Sequence, residues 1–323
     1  MDETATTDSN LPISTLSHQL IIAQRVLTWS MLTFLIFGNI GNLCNCFIFL
    51  QKSLRSNSCS CYLFVSSVAN IIALTFAIPT SVYSIQHTNP NSYLLMYCKL
   101  RLYIYHTLLM ISRYLIVFAC IDRACLSSRR VSIRNFSQIR IARTLSLTIT
   151  IFWFLGTIHI PILSTIQSGY CIMPKIYNLM FGIYTLIFAG IIPPVSMSIF
   201  SLITIRNLHS ARVRVHAFGH STIRPMRQQD FHLTRMLTAQ VVVYVFTTTF
   251  YPLNTIYEAI TISTNKTVDR EIIEIFVYFL TGTFLLFINP TVPFYIYIST
   301  SKAFRSEFKT ASINLWHKLL FLH

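Results

Sequence analysis

The sequence contains few charged residues for its length. Of 323 residues, 11% are Asp, Glu, Lys or Arg, against about 25% in a typical soluble domain. A soluble fold of this size would need far more polar surface, so the composition excludes a large soluble core as the home of the apolar residues. Acidic residues are the scarcest, with 10 Asp and Glu against 25 Lys and Arg.

Apolar stretches take the place of the missing charges. A helix needs about 20 apolar residues, each rising about 1.5 Å, to cross the hydrocarbon core of a bilayer. Seven stretches meet this length: Val26 to Leu50, Cys59 to Tyr83, Leu100 to Leu126, Thr144 to Thr165, Ile176 to Ile205, Met236 to Tyr257 and Ile275 to Ser299. The sequence therefore predicts an all-α membrane protein, a seven-transmembrane helix bundle.

The basic residues predict how the bundle is oriented. One set of connections is rich in Lys and Arg: Lys52 and Arg55, Arg129 to Arg143, Arg206 to Arg235, and Lys302 to Lys318. By the positive-inside rule these loops are cytoplasmic. Residues 1–25 then form an extracellular tail, residues 26–299 the membrane domain, and residues 300–323 a cytoplasmic tail. Scattered through short loops, the charge suits anionic inner-leaflet lipid and not a nucleic acid.

Several other signals are missing. The first residues lack the basic start and cleavage site of a signal peptide, so we expect the first helix to be its own insertion signal. The two halves show no sequence repeat, which argues against an inverted-repeat transporter. The histidines lack metal-ligand spacing and no Ser/His/acid set lies at a common depth, so we expect no enzyme activity, no metal and no cofactor.

Two cysteines and one sequon lie on the predicted outer side. Cys98 and Cys171 are the only thiols there, and a disulfide between them would hold the second outer loop over the bundle. Two free thiols is the alternative. The sequon at Asn265 is predicted to carry a glycan, whereas the one at Asn135 is cytoplasmic and is expected to stay bare.

Short motifs fall in the same helices as those of one receptor family. They are GNIGN with Asn42, Pro79, Cys98, Asp122-Arg123-Ala124, Trp153 with Pro161, Pro193-Pro194, Phe246 with Phe250-Tyr251-Pro252, and Asn289-Pro290. From Gly38 to Phe308 the chain resembles the rhodopsin-like G-protein-coupled receptors, with a flavour similar to invertebrate neuropeptide receptors. The resemblance implies a plasma-membrane location, an extracellular peptide ligand, a heterotrimeric G protein as partner, and a short amphipathic eighth helix at Ser301 to Phe308.

The resemblance also implies roles for particular residues. Arg123, beside Asp122, is expected to hold an ion pair in the inactive state and to turn toward a neighbouring helix in the active state. Pro252 and Pro290 are expected to act as hinges. An interfacial anchor for Arg123 and simple packing kinks for the prolines are the plainer alternatives.

The chain departs from the family pattern at the switch. Asn70 replaces an aspartate that helps bind sodium with Asn42, Ser112 and Asn289, so we expect little or no sodium sensitivity. Phe250 replaces a tryptophan above Pro252. Pro293 replaces a tyrosine, with Tyr295 two residues further on. Weak or unconventional coupling is the expected consequence.

Arg113 is the most unusual residue of the third stretch. It lies about 15 Å along the helix from Arg123, where an unpaired arginine costs about 2.5 to 3.5 kcal/mol. It should therefore face the bundle. The family keeps an apolar residue there, in contact with the fifth-helix proline and Phe246. Carbonyls freed by Pro193 and Pro194 are the expected partners, and a polar plug and a switching role stay open.

The predicted ligand site lies at the outer mouth. Tyr105 stands where amine receptors of the family have an aspartate, and Thr283 where opsins have a lysine, so both ligand classes are excluded. Glu258, Asp269, Glu271 and Glu274 would form an acidic rim above Tyr105, His106, Tyr257 and Phe250, suited to a cationic peptide. A solvated rim is the alternative. A channel or transporter, and a receptor-like protein with weak or no signalling, are the other functions left open.

Overall fold

The computed structural model describes residues 15–167, 169–218, 228–261, 264 and 266–320, and these are nearly all helical. Helices α1 to α7 are Thr15–Phe49, Ser58–Tyr83, Leu95–Leu126, Val131–Arg134, Ile139–Gly156, His159–Leu163 and Lys175–Thr185. Helices α8 to α14 are Ile192–Phe218, Gln228–Thr248, Phe250–Thr261, Val268–Phe279, Ile288–Thr291, Pro293–Thr300 and Lys302–Leu320. Two π-helical segments, Leu186–Ile191 and Leu280–Phe284, join α7 to α8 and follow α11.

Among the described residues, six helical segments are long and apolar enough to cross a membrane. They are His18–Phe49, Ser58–Tyr83, Leu95–Leu126, Ile139–Leu163, Leu179–Ser210 and Val268–Thr291. The predicted all-α, multi-pass membrane protein is confirmed at this level. The sixth predicted stretch is covered by α9 and α10, which meet at a turn at Thr249.

Prolines mark the breaks in these segments. Proline lacks an N–H and its ring clashes with the carbonyl four residues earlier. Helix α5 ends at Gly156 and α6 begins at His159, just before Pro161. The Thr157 hydroxyl lies in this break and donates to the Trp153 carbonyl at 2.6 Å. Polar side chains thus satisfy backbone groups that have no water around them.

Helix α3 lies at the centre of the bundle. In its most apolar segment 72% of the residues are buried, against 11% in α1, so α1 lies at the periphery. Helices α2 and α3 are further joined by a hydrogen bond between the Ser66 and Ser112 hydroxyls at 2.8 Å. Helix α3 therefore contacts other parts of the bundle core along much of its length.

A β-hairpin closes one end of the bundle. Strands β1 (Thr165–Gln167) and β2 (Tyr170–Ile172) are antiparallel, with Gly169 turning between them at φ +75°. The predicted Cys98–Cys171 disulfide is present and joins β2 to the start of α3, with the two Cα atoms 5.7 Å apart. We call this the hairpin end of the bundle, and the other the opposite end.

Several helices are longer than the apolar stretches predict. Helix α1 begins at Thr15 and α8 continues to Phe218, because a helix can extend beyond the hydrocarbon once its turns are formed. The sequence also predicts a loop from Gly219 to Pro225, and this stretch lies outside the described residues. Helix α14 runs to Leu320, and Phe304 docks it against Phe49 with ring centroids 6.0 Å apart.

Candidate functional site: an arginine network and a cavity joined by one helix

The Arg123 side chain is the centre of a buried network at the opposite end of α3. It is 1% exposed. Its Nε donates to Asp122 Oδ2 at 3.0 Å and its Nη1 to Asp230 Oδ1 at 2.7 Å. Its Nη2 donates to the Ser58 hydroxyl at 3.2 Å. The ion pair expected at Arg123 is therefore present, with partners on its own helix and on α9.

Asp230 was not singled out by the sequence reasoning. It lies in the first turn of α9, where a carboxylate also interacts well with the helix dipole. A signal was available, since Asp230 is the only acid between Arg206 and Arg235. A single carboxylate in a strongly basic connection is a natural partner for a buried arginine.

Asn57 ties a third helix into the network. Its Oδ1 accepts from the Cys59 backbone N–H at 3.0 Å and so caps the start of α2. Its Nδ2 donates to Asp230 Oδ1 at 2.9 Å. The network thus links α2, α3 and α9. Removing one partner of such a buried pair costs about 3 to 5 kcal/mol.

The residues at the positions of the family's sodium site are divided between two places in this chain. Asn42 Nδ2 donates to the Gly38 and Pro290 carbonyls, both at 2.7 Å, and Asn70 Nδ2 reaches Asn42 Oδ1 at 3.4 Å. Asn289 turns toward α9, where it accepts from Thr247 at 2.9 Å. Among the described residues no group of His, Cys, Asp or Glu could hold a metal ion.

Phe246 and Phe250 do not lie in an activation core. Their side chains are 71% and 43% exposed on the outside of the bundle, so this part of the prediction was wrong. Tyr244 faces inward at 2% exposure, with Thr247 and Thr248 beside it. Aromatic rings lose nothing by facing lipid, whereas hydroxyls there would lack partners. The Pro252 side chain is outside the described part of the structure.

The sequence reasoning also missed Tyr297. Tyr297 is buried and its hydroxyl donates to Gln240 Oε1 of α9. It lies one helical turn after Pro293 and so on the same face of the chain. Tyr295, named from the sequence, turns instead to α1 and donates to the Phe37 carbonyl at 3.0 Å.

A large cavity lies near the hairpin end, with a volume of about 1200 Å³. We call it the main cavity. Its polar lining consists of Tyr105, His106, Arg113, Thr165, Gln167, Thr185, Tyr251 and Tyr278. Two predicted ligand residues, Tyr105 and His106, are therefore in its wall, whereas Tyr257 and Glu274 are not. The Glu258 side chain and Asn265 lie outside what the structure describes.

One carboxylate of the predicted acidic rim is paired within the chain itself. Glu274 pairs with Lys266 through Oε2 and with Arg270 Nε through Oε1, the latter at 3.0 Å. It also accepts from the Tyr257 hydroxyl at 3.1 Å. Glu274 is therefore not a free negative charge, whereas Asp269 and Glu271 add two further carboxylates in the first turn of the same helix.

Arg113 faces the bundle, as expected, but not its expected partners. The Ala189 carbonyl, which Pro193 frees, accepts instead from Tyr244 at 3.3 Å. The neighbouring Phe188 carbonyl accepts from Tyr114 at 3.1 Å. Within the described part of the chain, the hydrogen bond found for Arg113 is to Met110 Sδ at 3.7 Å, a weak acceptor. The side chain is 8% exposed and lines the main cavity.

Comparisons with known proteins leave the family open. No protein-family model matches the chain, and a search of curated proteins finds no match. The function must therefore be argued from this chain's own residues.

Proposed function

We propose that the protein is a rhodopsin-like G-protein-coupled receptor for an extracellular peptide. In this proposal α9 and α10 together form one more membrane crossing, which gives seven, and α14 is the cytoplasmic eighth helix. The N-terminus lies outside the plasma membrane, and the basic loops lie against anionic inner-leaflet lipid. The observation that carries the proposal is the Arg123 network, which joins the ends of α2, α3 and α9.

The mechanism follows from where α3 runs. Its first turns hold Cys98, its middle lines the main cavity, and its last turn holds Arg123. A ligand that shifts α3 against α10 changes the position of α9, which directly precedes α10 in the same membrane crossing. Arg123 then exchanges Asp230 for carbonyls of a neighbouring helix, and a groove for the G protein opens between α3, α8 and α9.

Tyr297 is proposed to supply the hydroxyl that the family pattern has at position 293. In the inactive state it is bonded to Gln240 on α9. When α9 moves, this bond breaks together with the Arg123–Asp230 pair. The altered motif is thus compatible with coupling, because a tyrosine on the same helical face is retained one turn later.

The main cavity is the proposed ligand site. Its volume of about 1200 Å³ exceeds the usual range for small-molecule pockets, about 300 to 1000 Å³, and suits one end of a peptide. Tyr105 and His106 provide contact area on α3. His106 is held by Tyr184, with Nε2 and the hydroxyl oxygen 3.4 Å apart, and by the Phe181 ring.

Nucleotide exchange without ligand tests this function. The full chain is reconstituted in lipid discs with a panel of heterotrimeric G proteins, as wild type and as Asp230→Asn. Because the variant weakens the bond that holds α9 to α3, we expect its basal exchange to rise several-fold on at least one G protein. Glu307→Gln is the matched control, since Glu307 accepts a hydrogen bond from Ser53 outside the Arg123 network.

The contrary outcomes point to the alternatives. If neither protein stimulates exchange on any G protein, the receptor proposal is wrong, or the chain binds ligand without signalling. Ion or solute flux into vesicles that contain the wild-type chain would instead indicate a channel or transporter. A glycan on Asn135, which the proposed topology places in the cytoplasm, would overturn the orientation.

A further inference from the structure

The main cavity contains an arginine whose charge is not neutralised. Arg113 is more than nine-tenths buried, and the hydrogen bond found for it goes to the Met110 thioether. A buried cation without an anion is costly and is rarely kept without a role. The Ala189 carbonyl, which Pro193 frees, is bonded to Tyr244, and the neighbouring Phe188 carbonyl is bonded to Tyr114.

The rest of the cavity wall is also suited to an anion. Its polar side chains carry hydroxyl, amide or ring N–H donors, for example Thr185 and Tyr251, whose oxygens are 3.3 Å apart. No Asp or Glu is among the described residues that line it. The remaining wall is apolar: Leu102, Leu109, Ile172, Ala189 and Leu286.

The charged cluster near the hairpin end is mixed in sign. Lys266 and Arg270 share the carboxylate of Glu274, and Asp269 and Glu271 lie in the first turn of the same helix. The preference for an anionic ligand is therefore set by Arg113 and by the cavity wall, not by this cluster.

A second arginine of α3 provides the contrast. Arg101 Nη2 donates to the Ala77 carbonyl at 3.1 Å and to the Ser81 hydroxyl at 2.8 Å. It lines a separate, smaller cavity of about 270 Å³. Its guanidinium is thus held by the protein, whereas that of Arg113 is left for another partner.

We propose that the main cavity binds its ligand through a carboxylate that forms a bidentate ion pair with Arg113. The apolar wall takes an apolar or aromatic body attached to that carboxylate. Arginine and a carboxylate match in geometry, and their bonds are strengthened where water is excluded. One source of this carboxylate is the free C-terminus of a peptide, and this source rests on the proposed receptor function. The other source is a fatty acid, whose binding does not depend on that function.

The experiment compares carboxylates with their uncharged counterparts. The probes are a pool of N-acetylated tetrapeptides with apolar or aromatic C-terminal residues, as free acids and as amides, and palmitate with palmitamide. Each is added to the purified full chain in detergent, and the unfolding midpoint is measured. Because a ligand that binds the folded state raises this midpoint, we expect acids of one source to raise it and the matching amides to have little effect.

Variants assign the effect to Arg113. Arg113→Met should weaken binding of the acid at least tenfold and remove the difference between acid and amide. Arg113→Lys should retain part of that difference, since it keeps the charge but not the bidentate geometry. Arg101→Gln is the matched control on the same helix and should keep the wild-type difference in midpoint shift between acid and amide.

Three results would overturn the proposal: acids and amides that stabilise the wild type equally, no stabilisation by any acid, or an Arg113→Met protein that still prefers the acid. The unfolding assay needs no G protein, so its result is independent of the nucleotide-exchange assay. Acid binding without nucleotide exchange would sustain this site and reject the receptor. Stabilisation by palmitate and not by peptides would identify a fatty acid as the ligand.

Discussion

Two arginines of α3, about 15 Å apart along the helix axis, have opposite surroundings. Arg123 is bonded to two aspartates, Asp122 on its own helix and Asp230 on α9, and α2 supplies the Ser58 hydroxyl. Arg113 is nearly as buried, but the bond found for it is to a thioether beside a large cavity. The same side chain therefore holds helices together in one place and leaves a binding charge free in the other. The neighbours, and not the residue type, decide which.

The largest expected effect comes from removing each arginine in turn. Arg123→Met leaves Asp122 and Asp230 without their cation, so we expect the free energy of unfolding to fall by about 3 to 5 kcal/mol. Arg113→Met removes an unpaired charge, so stability should stay equal or rise. Thermal unfolding of the purified proteins, without added ligand, measures both. If both variants lose stability to the same extent, Arg113 has an internal partner and the comparison fails.

A double-mutant cycle sharpens the Arg123 side of the comparison. We expect Arg123→Met and Asp230→Asn to be non-additive, with a coupling energy of about 1 to 3 kcal/mol, because the two residues are in direct contact. The same cycle between Arg113→Met and Asp230→Asn should be additive. Coupling in the second cycle would mean that the two arginines share one network.

A smaller effect is expected at Tyr297. Tyr297→Phe removes its hydrogen bond to Gln240 and should lower the free energy of unfolding by about 1 kcal/mol. It should also raise basal nucleotide exchange, because α9 is held less firmly. Tyr295→Phe is the control, since its hydroxyl bonds to α1. An equal rise in exchange for Tyr295→Phe would argue against a specific role for Tyr297.

The smallest effect is expected at the charged cluster near the hairpin end. Glu274 pairs with Lys266 and with Arg270, which is 39% exposed, and pairs of this kind contribute at most about 1 kcal/mol. Glu274→Gln should therefore change the unfolding midpoint slightly, with the change shrinking at high salt. Because it removes a negative charge from this end of the bundle, it should also slightly strengthen binding of an acid in the main cavity. Weaker acid binding by this variant would contradict an anionic ligand.

The faces of α9 were open to sequence reasoning but were assigned from the motif. Tyr244, Thr247 and Thr248 place polar groups on one face of α9, whereas Phe246 places its ring on the other, as does Phe250 at the start of α10. Read by periodicity alone, the polar face predicts the bundle interior. The motif around Pro252 predicted the reverse. For these residues, the helical periodicity of the polar side chains predicts the orientation better than the family motif does.

The sequence by itself determined the membrane class and the long helices, and it predicted the Cys98–Cys171 disulfide and the inward-facing Arg113. The helices follow from local composition, because an apolar run of sufficient length has only one way to satisfy its backbone in lipid. Tertiary structure alone decided which partner each buried polar group meets. Asp230 lies 107 residues from Arg123, and Tyr244 takes the carbonyl expected for Arg113. Such pairings depend on how the helices are rotated against one another, and that rotation is settled only when the bundle packs.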